Sequence, residues 1–492
     1  MVSTQSSTHR GPQGIVVEIE ASLQKALPAI VVTGLPGDVV KESRERIRAC
    51  LSGMGFNVPS SRIVVHLSPA TAKKQGSQLD LGVAIALLAV EDSLQPKREL
   101  KRCAFLGELT LDGRIRGVGH ALALAQALVA HPQIDHVIAA RENAEELSLL
   151  EDPKIHTFSC LRDVIAWLEG KPVLCEPLPA LVAPEWDPPE ALWDEIQGQT
   201  LAKRALEIAL AGRHHLLMVG PPGVGKSLLA RAAAHMLPPL EKEELIELVK
   251  NRGFFDRVGF WRRPFRAPHH SSSLEGLVGG GSQGVVECGE ATLAHGGILF
   301  LDELPEFRKN VIESLREPLQ NGSIHINRVG GSLLLPSRFL MIAAMNPCPC
   351  GYAFDTKNTC QCLPAQASAY RRRVSGPIYD RLDLCVVLGT PSLSQSHSPG
   401  NASTVQERIA RVRKLHRDRL PDPPVLDEGP FQLLPDCRRW CEQRCEQSGL
   451  SFRSLHKTIR VARTIADLDD RPVIALRDLR EAWDLRCRNF WK

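Results

Sequence analysis

The sequence predicts an α/β protein built from more than one domain, and three observations support this fold class. A short apolar run at 215–219 (HLLMV) leads into the glycine-rich segment GPPGVGKS at 220–227, and a helix-like pattern follows it. A second apolar run, ILFL at 298–301, ends in two adjacent carboxylates. Residues 1–170 alternate strand-like and helix-like runs. Alternation of these two periods is typical of sheets covered by helices.

Length and composition limit the class of protein. At 492 residues the chain is too long for one core, so about two to four domains are expected. A content of 43% hydrophobic and 24% charged residues is typical of globular proteins, and a net charge of +4 permits nucleic-acid binding without demanding it. The longest apolar stretch, 81–90, is too short to cross a bilayer, so no membrane association is expected. Fourteen cysteines without an apolar leader favour a reducing cytoplasm.

The domain boundaries follow from changes in composition. Residues 1–170 predict a mixed α/β domain, with strands at GIVVEIEA, AIVVTGL and RIVVHLS and helices at DVVKESRERIRACLSGM and ALALAQALVA. Residues 171–190 contain six prolines and predict a linker. Residues 191–390 hold the phosphate-loop core, residues 391–404 a second linker, and residues 405–492 a helix-patterned segment rich in arginine. The sequence therefore predicts a central doubly wound sheet between an N-terminal α/β domain and a C-terminal helical lid.

The segment at 220–227 fits the phosphate-loop pattern G-x-x-x-x-G-K-[ST]. In this pattern backbone N–H groups cradle phosphate oxygens, and the dipole of the following helix adds positive potential. Lys226 is expected to reach the β- and γ-phosphates, and the Ser227 hydroxyl is expected to bind Mg²⁺. The residues predicted to bind ATP are Gly220, Pro221, Pro222, Gly223, Val224, Gly225, Lys226 and Ser227.

The carboxylates after the apolar run at 298–301 supply the remaining chemistry. Catalytic groups gather where the strands of an open α/β sheet end. Asp302 is therefore expected to hold Mg²⁺ together with Ser227. Glu303 points in another direction and is expected to orient and deprotonate the attacking water. The alternative is a pair of solvated carboxylates at the end of a strand. Together with the phosphate loop, the pair predicts hydrolysis of ATP.

Longer motifs identify a resemblance. The segments RPFRAPHHSSS (263–273), GGILFLDELPEF (296–307), AAMNPCPCG (343–351) and SGPIYDRLDL (375–384) resemble the magnesium-chelatase-like AAA+ ATPases, and more narrowly the ComM/YifB group. The N-terminal segments GLPGDVVKESRERIRA and RIVVHLSPATAKKQGSQLDLGVAIALLA are similar to that group as well, so the resemblance covers nearly the whole chain. It implies a homo-hexameric DNA helicase that drives branch migration on single-stranded or branched DNA during natural transformation.

The resemblance implies three further catalytic residues. Asn346 occupies the sensor-1 position, where its amide helps to place the attacking water. Arg381 matches an arginine finger, which in a ring enters the neighbouring subunit's site and stabilises transition-state charge. Arg453 matches sensor 2 on the helical lid. On spacing alone, the favoured interpretation of either arginine is a surface salt bridge.

Two inserted segments are the candidates for contact with substrate. One is 254–287, which contains Arg262, Arg263, Arg266, His269 and His270. The other, 323–336 (SIHINRVGGSLLLP), predicts a β-hairpin with its tip at Gly330-Gly331. In the resembling family such hairpins line the central pore, so Arg328 is expected to contact DNA phosphates. The alternative is a hairpin that only packs against the next subunit. A metal at the two adjacent histidines is disfavoured because their side chains diverge.

Four cysteines follow Asn346 in the pattern C-x-C-x₉-C-x-C: Cys348, Cys350, Cys360 and Cys362. Four thiolates within one short segment can close a tetrahedral zinc site. The C-x-C arms are tighter than the usual C-x₂-C, and four loop thiols without an ion are the alternative. A structural Zn²⁺ between sensor 1 and the arginine finger is the favoured interpretation.

The N-terminal segment 107–127 (GELTLDGRIRGVGHALALAQA) is similar to the strand, turn and helix of Lon-type, S5-like protease domains. Those proteases use a serine nucleophile activated by a buried lysine. By alignment with them, the lysine position falls on Leu122 and the serine position on about Gln78. Ser77 is close in sequence to Lys73 and Lys74, but these residues lie off the matching positions. The domain is expected to keep the fold without the protease, and its partner, a protein or the ring itself, stays open.

Four functions are therefore compared. An ATP-driven DNA motor is favoured, and a chelatase-type or protein-remodelling ATPase is the main alternative; stimulation of turnover by DNA separates the two. An ATP-dependent protease is disfavoured by Leu122. A non-catalytic scaffold is disfavoured by the joint presence of Lys226, Asp302, Glu303 and Arg381. The basic stretch 408–419 mildly favours DNA, although charge runs usually mark a solvated face.

Overall fold

The computed structural model describes residues 1–34, 38–56, 59–70, 74, 76–173, 175, 177–181, 192–255, 261–280, 287–328, 331–355, 358–389, 401–419, 431–448 and 452–486. The side chains of residues 38–41, 327, 328, 331, 332, 448 and 452 are not among those described.

The N-terminal part of the chain is organised on a mixed sheet. The strands described there are β1 (Val2–Arg10), β2 (Gln13–Gln24), β3 (Ala29–Thr33), β4 (Arg62–Ser68), β5 (Cys103–Leu106), β6 (Glu108–Leu109), β7 (Ile115–Arg116), β8 (His136–Ala140) and β9 (Ile155–Phe158). Seven of them form one sheet in the order β3-β4-β2-β1-β5-β8-β9, and β6 pairs with β7 separately. The three strands predicted in this region are confirmed as β2, β3 and β4.

Helices cover this sheet. They are α1 (Asp38–Gly53), α2 (Asp80–Val90), α3 (Ala121–Val129), α4 (Ala144–Leu147) and α5 (Leu161–Leu168). Every residue of α2 is buried, as expected for its uninterrupted apolar sequence. The predicted helices at 38–54 and 121–130 are confirmed as α1 and α3.

The strand β1 lies near the centre of this sheet although its sequence, VSTQSSTHR, is polar. It pairs with β2 on one side and β5 on the other, and residues 3–8 are all buried. Hydroxyls in the strand donate to backbone carbonyls: Ser6 Oγ to Phe105 O at 2.7 Å, and Ser7 Oγ to Leu124 O at 3.1 Å. These hydrogen bonds allow hydroxyl side chains to occupy the interior, because each donor has a partner there.

A second sheet carries the phosphate loop. The strands described in this region are β10 (Leu216–Val219), β11 (Phe265–Arg266), β12 (Gly279–Gly280), β13 (Glu287–Cys288), β14 (Ile298–Leu301), β15 (Ser323–Arg328), β16 (Gly331–Pro336), β17 (Leu340–Met345) and β18 (Leu384–Val387). Five of them form a parallel sheet in the order β11-β14-β17-β10-β18. The expected α/β class with a parallel sheet is confirmed.

Both faces of the second sheet are buried. Alternate residues of each central strand belong to different apolar clusters, so that Leu216 and Met218 of β10 pack into one cluster and Leu217 and Val219 into the other. The strands β14 and β17 divide in the same way. The helices described around this sheet are α6 (Leu192–Glu195), α7 (Thr200–Gly212), α8 (Lys226–His235), α9 (Lys242–Arg252), α10 (Leu274–Val278), α11 (Glu290–Leu293), α12 (Lys309–Ser314), α13 (Pro318–Asn321), α14 (Pro364–Arg371) and α15 (Gly376–Tyr379). Two buried faces explain why these strands are apolar throughout instead of alternating.

The C-terminal part of the chain is helical, as predicted. Its described helices are α16 (Ala402–Arg419), α17 (Pro435–Ser448), α18 (Phe452–Leu468) and α19 (Leu476–Asp484). Buried residues of α16 and α18 belong to the same cluster as Leu216 and Met218, which places these helices on one face of the parallel sheet. None of the described helices combines the length and the apolar character needed to cross a bilayer.

The N-terminal sheet and the second sheet meet through α3 and α9. Leu122 of α3 is fully buried in an apolar cluster with Leu245, Leu248 and Val249 of α9. The backbone N–H of His120 donates to Gly253 O at 2.6 Å, next to this cluster. The contact therefore joins the first helix after the phosphate-loop helix to the N-terminal part of the chain.

Candidate nucleotide-binding site

The phosphate loop connects β10 to α8. Gly223 has φ +79° and Gly225 has φ +92°, a backbone region that only glycine adopts without strain. A Cβ placed at either glycine meets no atom within 4 Å, so the loop borders open space. Loop, helix and neighbouring strand ends enclose a cavity of about 340 Å³ lined by Pro222, Gly223, Gly225, Lys226, Ser227, Leu228, Asp302, Glu303, Met345 and Asn346. Five of the predicted residues at 220–227 thus form a concave surface of the kind that accepts phosphates, whereas Gly220, Pro221 and Val224 do not line the cavity.

Lys226 lies at the centre of this cavity. Its Nζ donates to Gly220 O at 2.7 Å, to Pro221 O at 2.9 Å and to Asn346 Oδ1 at 3.1 Å. Burial lowers the pKa of Lys226, while the carboxylates of Asp302 and Glu303 oppose that shift. The ammonium group therefore lies among neutral acceptors beside two carboxylates, where phosphate oxygens can replace its present partners.

The two predicted magnesium ligands are in direct contact. Ser227 Oγ donates to Asp302 Oδ2 at 2.6 Å. A hydroxyl and a carboxylate are oxygen ligands of the kind that Mg²⁺ binds, usually together with waters and substrate phosphates. The Ser227 hydroxyl and the Asp302 carboxylate lie together beside the cavity, which fits a magnesium site. Waters and phosphate oxygens would complete the coordination, so no further protein ligand is needed.

Glu303 follows Asp302 with an unusual backbone. Its φ is +51°, the left-handed region, and its N–H donates to Asp302 Oδ1 at 2.9 Å. This turn separates the backbone of Glu303 from the strand that ends before Asp302. The carboxylate is 56% exposed and lines the cavity. One neighbour was expected from sequence only as a candidate for contact with substrate: His270 Nδ1 lies 3.5 Å from Glu303 Oε2.

Asn346 lies directly after β17, between the phosphate-loop strand β10 and the strand β14 that ends before Asp302. Its hydrogen bond to Lys226 places the amide in the same cavity. The structure therefore brings together five of the predicted residues: Lys226, Ser227, Asp302, Glu303 and Asn346.

Arg381 and Arg453 do not line this cavity. All three nitrogens of the Arg381 guanidinium have acceptors: Nε donates to Arg316 O at 3.1 Å, Nη1 to Pro377 O at 2.8 Å and Nη2 to Gln320 Oε1 at 2.8 Å. Burial lowers the pKa of Arg381, and the positive charges of Arg453 and Arg316 lower it further. The two arginines are therefore close enough for their charges to interact, and neither lines the cavity of its own chain.

The four cysteines of the C-x-C-x₉-C-x-C segment come together. The Sγ atom of Cys348 lies 3.4 Å from that of Cys350 and 3.7 Å from that of Cys360, and the Cys362 Sγ accepts the Cys350 N–H at 3.4 Å. All four sulfur atoms lie within 4.8 Å of one another. Tetrahedral Zn–S bonds of about 2.3 Å require sulfur atoms about 3.8 Å apart. The donor set and its spacing therefore fit zinc.

This cysteine cluster packs against the phosphate loop. Gly351, between the two pairs of cysteines, has φ +86°, and a Cβ at this position would lie 2.6 Å from Pro222 Cδ. Backbone N–H groups of Tyr352 and Gln361 lower the pKa of the Cys350 thiol, which favours the thiolate that binds metal. The cluster is therefore continuous with the nucleotide cavity through Pro222 and through Asn346.

The hairpin predicted at 323–336 is present as β15 and β16, paired from Ser323↔Pro336 to Arg328↔Gly331. The side chain of Arg328 and the tip residues 329–330 lie outside the described residues. In the other insert, Arg263 and Arg266 both have partners inside the chain, although only Arg263 is buried. Arg263 is 4% exposed and pairs with Glu244, and Arg266 pairs with Glu290 through two contacts of 2.6 Å.

The N-terminal sheet carries the residues compared above with a protease dyad. Lys74 Nζ donates to three backbone carbonyls, those of Gly34, Leu67 and Pro69, and Ser77 Oγ donates to Glu108. The lysine and the serine therefore bind different groups. The aligned positions, Gln78 and Leu122, are both buried. Neither the aligned pair nor the neighbouring pair forms a serine–lysine dyad.

Comparisons with known proteins agree with the arrangement of these regions. Residues 193–396 match the family described as "Magnesium chelatase, subunit ChlI". Residues 19–143 match "Subunit ChlI of Mg-chelatase", and residues 400–486 match "Magnesium chelatase, subunit ChlI C-terminal". The three matches together span the N-terminal sheet, the nucleotide cavity and the C-terminal helices.

Two relatives align over almost their whole length. The uncharacterized protein YifB of Salmonella typhimurium is 38% identical over 487 residues, which cover 96% of this chain and 94% of the relative. The competence protein ComM of Haemophilus influenzae is 38% identical over 504 residues, which cover 98% of this chain and 96% of the relative. Lon protease 2 of Bacillus subtilis is 30% identical over 164 residues, 31% of this chain and 28% of the protease.

Proposed function

This chain belongs to the magnesium-chelatase ChlI family, in the group of YifB and the competence protein ComM, and we propose that it is an ATP-dependent motor on DNA. It works as a homo-hexamer that hydrolyses ATP to drive branch migration during recombination in natural transformation. The observation that carries this proposal is the convergence of Lys226, Ser227, Asp302, Glu303 and Asn346 on one cavity.

Each residue of the cavity has a distinct part in ATP hydrolysis. Lys226 exchanges its carbonyl acceptors for phosphate oxygens, and the loop N–H groups bind the remaining oxygens. Ser227 and Asp302 would hold Mg²⁺, and the bound ion would neutralise developing charge on the phosphates. Glu303 accepts the proton of the attacking water, and the Asn346 amide orients that water. The result is in-line transfer of the γ-phosphoryl group to water.

Assembly of subunits into a ring accounts for the position of Arg381 and Arg453 away from the cavity of their own chain. Arg381 lies outside its own cavity, and its guanidinium binds two carbonyl oxygens and one amide oxygen, acceptors that carry no charge. Such contacts are readily exchanged for a phosphate group, which binds arginine more strongly. Arg381 is therefore proposed to act on the nucleotide of a neighbouring subunit, and Arg453, whose charge lowers the pKa of Arg381, is proposed to act as sensor 2 on the helical lid.

The DNA part of the proposal rests on the relative named as a competence protein and on the hairpin of β15 and β16. The hairpin is proposed to contact the DNA backbone through Arg328. The basic stretch 408–419 gives less support, because three of its arginines form ion pairs inside the chain. Arg408 pairs with Glu207, Arg411 with Asp470 and Arg417 with Glu241.

The first test is ATP hydrolysis by the purified protein with and without single-stranded and branched DNA, with Glu303→Gln as the control. We expect turnover that DNA stimulates, ATP-dependent strand displacement on the branched substrate, and loss of turnover but not of ATP binding in Glu303→Gln. Turnover that is indifferent to DNA would favour the alternative, a chelatase-type or protein-remodelling ATPase acting on a protein partner. Normal turnover in Glu303→Gln would contradict the assigned general base.

The arginine assignment has a separate test in mixed rings. Arg381→Ala and Lys226→Ala subunits are each expected to be inactive alone. Mixing them places an intact finger beside an intact cavity at some interfaces, so part of the activity should return. The absence of recovery in mixtures that form rings, shown by chromatography, would count against action on a neighbouring subunit.

The cysteine cluster is proposed to hold a structural Zn²⁺. Cys348, Cys350, Cys360 and Cys362 would be its ligands, and the metal would fix the segment between Asn346 and Arg381. Elemental analysis is expected to find about one zinc per chain. Cys360→Ser should lose it, whereas Cys445→Ser, a matched change on α17, should keep it. Zinc content that does not depend on Cys360 would exclude this site.

A further inference from the structure

The side chain of Lys457 joins helix α18 to the turn that carries Arg381. Its Nζ donates to Arg381 O at 2.8 Å and forms an ion pair with Asp383 Oδ1 at 2.8 Å. One ammonium group therefore binds the chain on both sides of Leu382, through the carbonyl before it and the carboxylate after it.

The ion pair is largely shielded from solvent, since the side chain of Lys457 is 23% exposed and that of Asp383 is 14% exposed. Burial raises the pKa of the Asp383 carboxyl, but the positive charge of Lys457 and the nearby imidazoles outweigh burial and hold the pKa below its ordinary value. Asp383 is therefore a carboxylate at neutral pH. Its attraction to Lys457 is screened less by salt than the attraction within an exposed pair.

Asp383 is in turn fixed to the parallel sheet. Its Oδ2 accepts the His215 N–H at 2.9 Å, and its own N–H donates to His215 O at 2.9 Å. His215 directly precedes β10, the strand that leads into the phosphate loop. Because the carboxylate is anchored in this way, Lys457 holds the Arg381 carbonyl at a defined place relative to the sheet.

The backbone contacts of Arg381 matter because its side-chain contacts are temporary in the proposed function. The guanidinium has to leave Arg316 O, Pro377 O and Gln320 Oε1 in order to bind a phosphate. The backbone of Arg381 keeps two contacts during this exchange: its N–H donates to Ile378 O at 3.0 Å, and its carbonyl accepts from Lys457. These contacts then determine where the guanidinium can reach.

We propose that Lys457 is a positioning residue for Arg381, whose backbone it holds so that the guanidinium reaches the nucleotide of the neighbouring subunit. A catalytic group must lie within about 0.5 Å of its productive position, and a misplacement of about 1 Å costs about 100-fold in rate. Lys457 follows Arg453 on α18 by one helical turn, so the position of Arg381 depends on that of the helical lid. The inference rests on the proposed action of Arg381 across a ring.

The first test compares the kinetics of two substitutions. Lys457→Met removes the ammonium and should lower kcat for ATP about tenfold, with nucleotide affinity unchanged because Lys457 does not line the cavity. Lys457→Arg keeps a cationic donor and should retain most of kcat. As the matched control, Lys154→Met removes a lysine whose Nζ donates to Val129 O at 3.1 Å, and kcat should not change. An unchanged kcat in Lys457→Met, or the same loss in Lys457→Arg, would overturn the proposal.

A double variant separates positioning from folding. Lys457→Met leaves the Asp383 carboxylate without its cation, and an unpaired buried charge destabilises a protein. Asp383→Asn combined with Lys457→Met removes both charges, so the melting temperature should return towards that of the wild-type protein while kcat stays about tenfold low. Recovery of wild-type kcat in the double variant would overturn the proposal, because it would assign the loss to the unpaired carboxylate.

Mixed rings show on which cavity Lys457 acts. A Lys457→Met subunit has an intact cavity and a displaced finger, whereas a Lys226→Ala subunit has an intact finger and no working cavity. Their mixture should therefore recover part of the activity, as expected for Arg381→Ala. Recovery with Arg381→Ala but not with Lys457→Met would overturn this inference alone, because the lysine would then act on the cavity of its own chain. If neither mixture recovers, the proposed action across the ring fails, and this inference fails with it.

Discussion

Two lysines of this chain, one half-buried and one fully buried, make similar contacts and serve different purposes. Lys226 donates to two carbonyls and one amide oxygen, and Lys74 donates to three carbonyls. Burial lowers the pKa of both. Lys226, however, faces a cavity of about 340 Å³ that also contains two carboxylates, whereas Lys74 is 0% exposed.

The difference shows what separates a binding lysine from a structural one. The acceptors of Lys226 can be exchanged, because the cavity admits phosphate groups that bind an ammonium more strongly than carbonyls do. The acceptors of Lys74 belong to three separate backbone positions that the lysine holds together. We therefore expect loss of Lys226 to remove binding, and loss of Lys74 to remove stability.

Lys226→Ala is expected to have the largest effect. Hydrogen bonds to charged groups contribute about 1.5–3 kcal/mol each, so loss of two phosphate contacts should weaken ATP binding about 100-fold or more. The melting temperature without nucleotide should change little, because the loop carbonyls left behind face the cavity. Binding of a fluorescent ATP analogue and thermal unfolding measure the two quantities. Wild-type ATP affinity in Lys226→Ala would contradict the assignment of Lys226 as the phosphate-binding lysine.

Leu122→Lys is expected to have the next largest effect. It restores the residue type of the resembling protease, but Leu122 is fully buried against α9. An uncompensated buried charge costs roughly 3–5 kcal/mol, so the free energy of unfolding in urea should fall by that amount. Leu122→Met keeps the volume and should cost less than about 1.5 kcal/mol. Equal stability of the two variants would show that this contact does not fix the N-terminal sheet on α9.

Lys74→Met should cost less than Leu122→Lys but still be measurable. Three carbonyl groups lose their donor, and an unsatisfied buried polar group costs about 1–3 kcal/mol, so a net loss of about 2–4 kcal/mol is expected. ATP turnover per folded molecule should stay at the wild-type level. A loss of turnover without a loss of stability would show that Lys74, like Lys226, has a role in catalysis.

The comparison of Lys226 with Lys74 also explains which parts of the site could be predicted from the sequence. The phosphate loop and the Asp302-Glu303 pair were predicted because each is fixed by a local pattern: an apolar strand followed by residues of special geometry or charge. The role of Lys74 was not predicted, since its three carbonyl partners, in Gly34, Leu67 and Pro69, are set by the fold and carry no sequence signal.

The strand β1 was missed for a related reason. Its run of serines and threonines lacks the apolar alternation that indicates a half-buried strand, and its burial depends on carbonyl acceptors in β5 and α3. The insert arginines Arg263 and Arg266 were expected near substrate, but the structure pairs them with Glu244 and Glu290. Positive charge alone did not distinguish a binding residue from one that holds the insert together.

The smallest expected effect concerns Glu146, whose carboxyl contacts α3, the helix that carries Leu122. Glu146 Oε1 accepts the Leu122 N–H at 2.9 Å, and burial raises the pKa of this carboxyl to about 7. Because the folded pKa lies above the ordinary value of 4.5 for a glutamate carboxyl, the folded state binds the proton more tightly. The resulting stability is fully present below pH 4.5 and is lost as the pH rises through about 7. Between pH 5 and pH 8 this loss is on the order of 2 kcal/mol.

Glu146→Gln carries a neutral group at every pH and should remove that part of the pH dependence, so the two unfolding curves should differ most at pH 8. Parallel stability profiles for the wild-type protein and Glu146→Gln would mean that the carboxyl is ionised throughout, and that Leu122 is held by a carboxylate and not by a neutral acid.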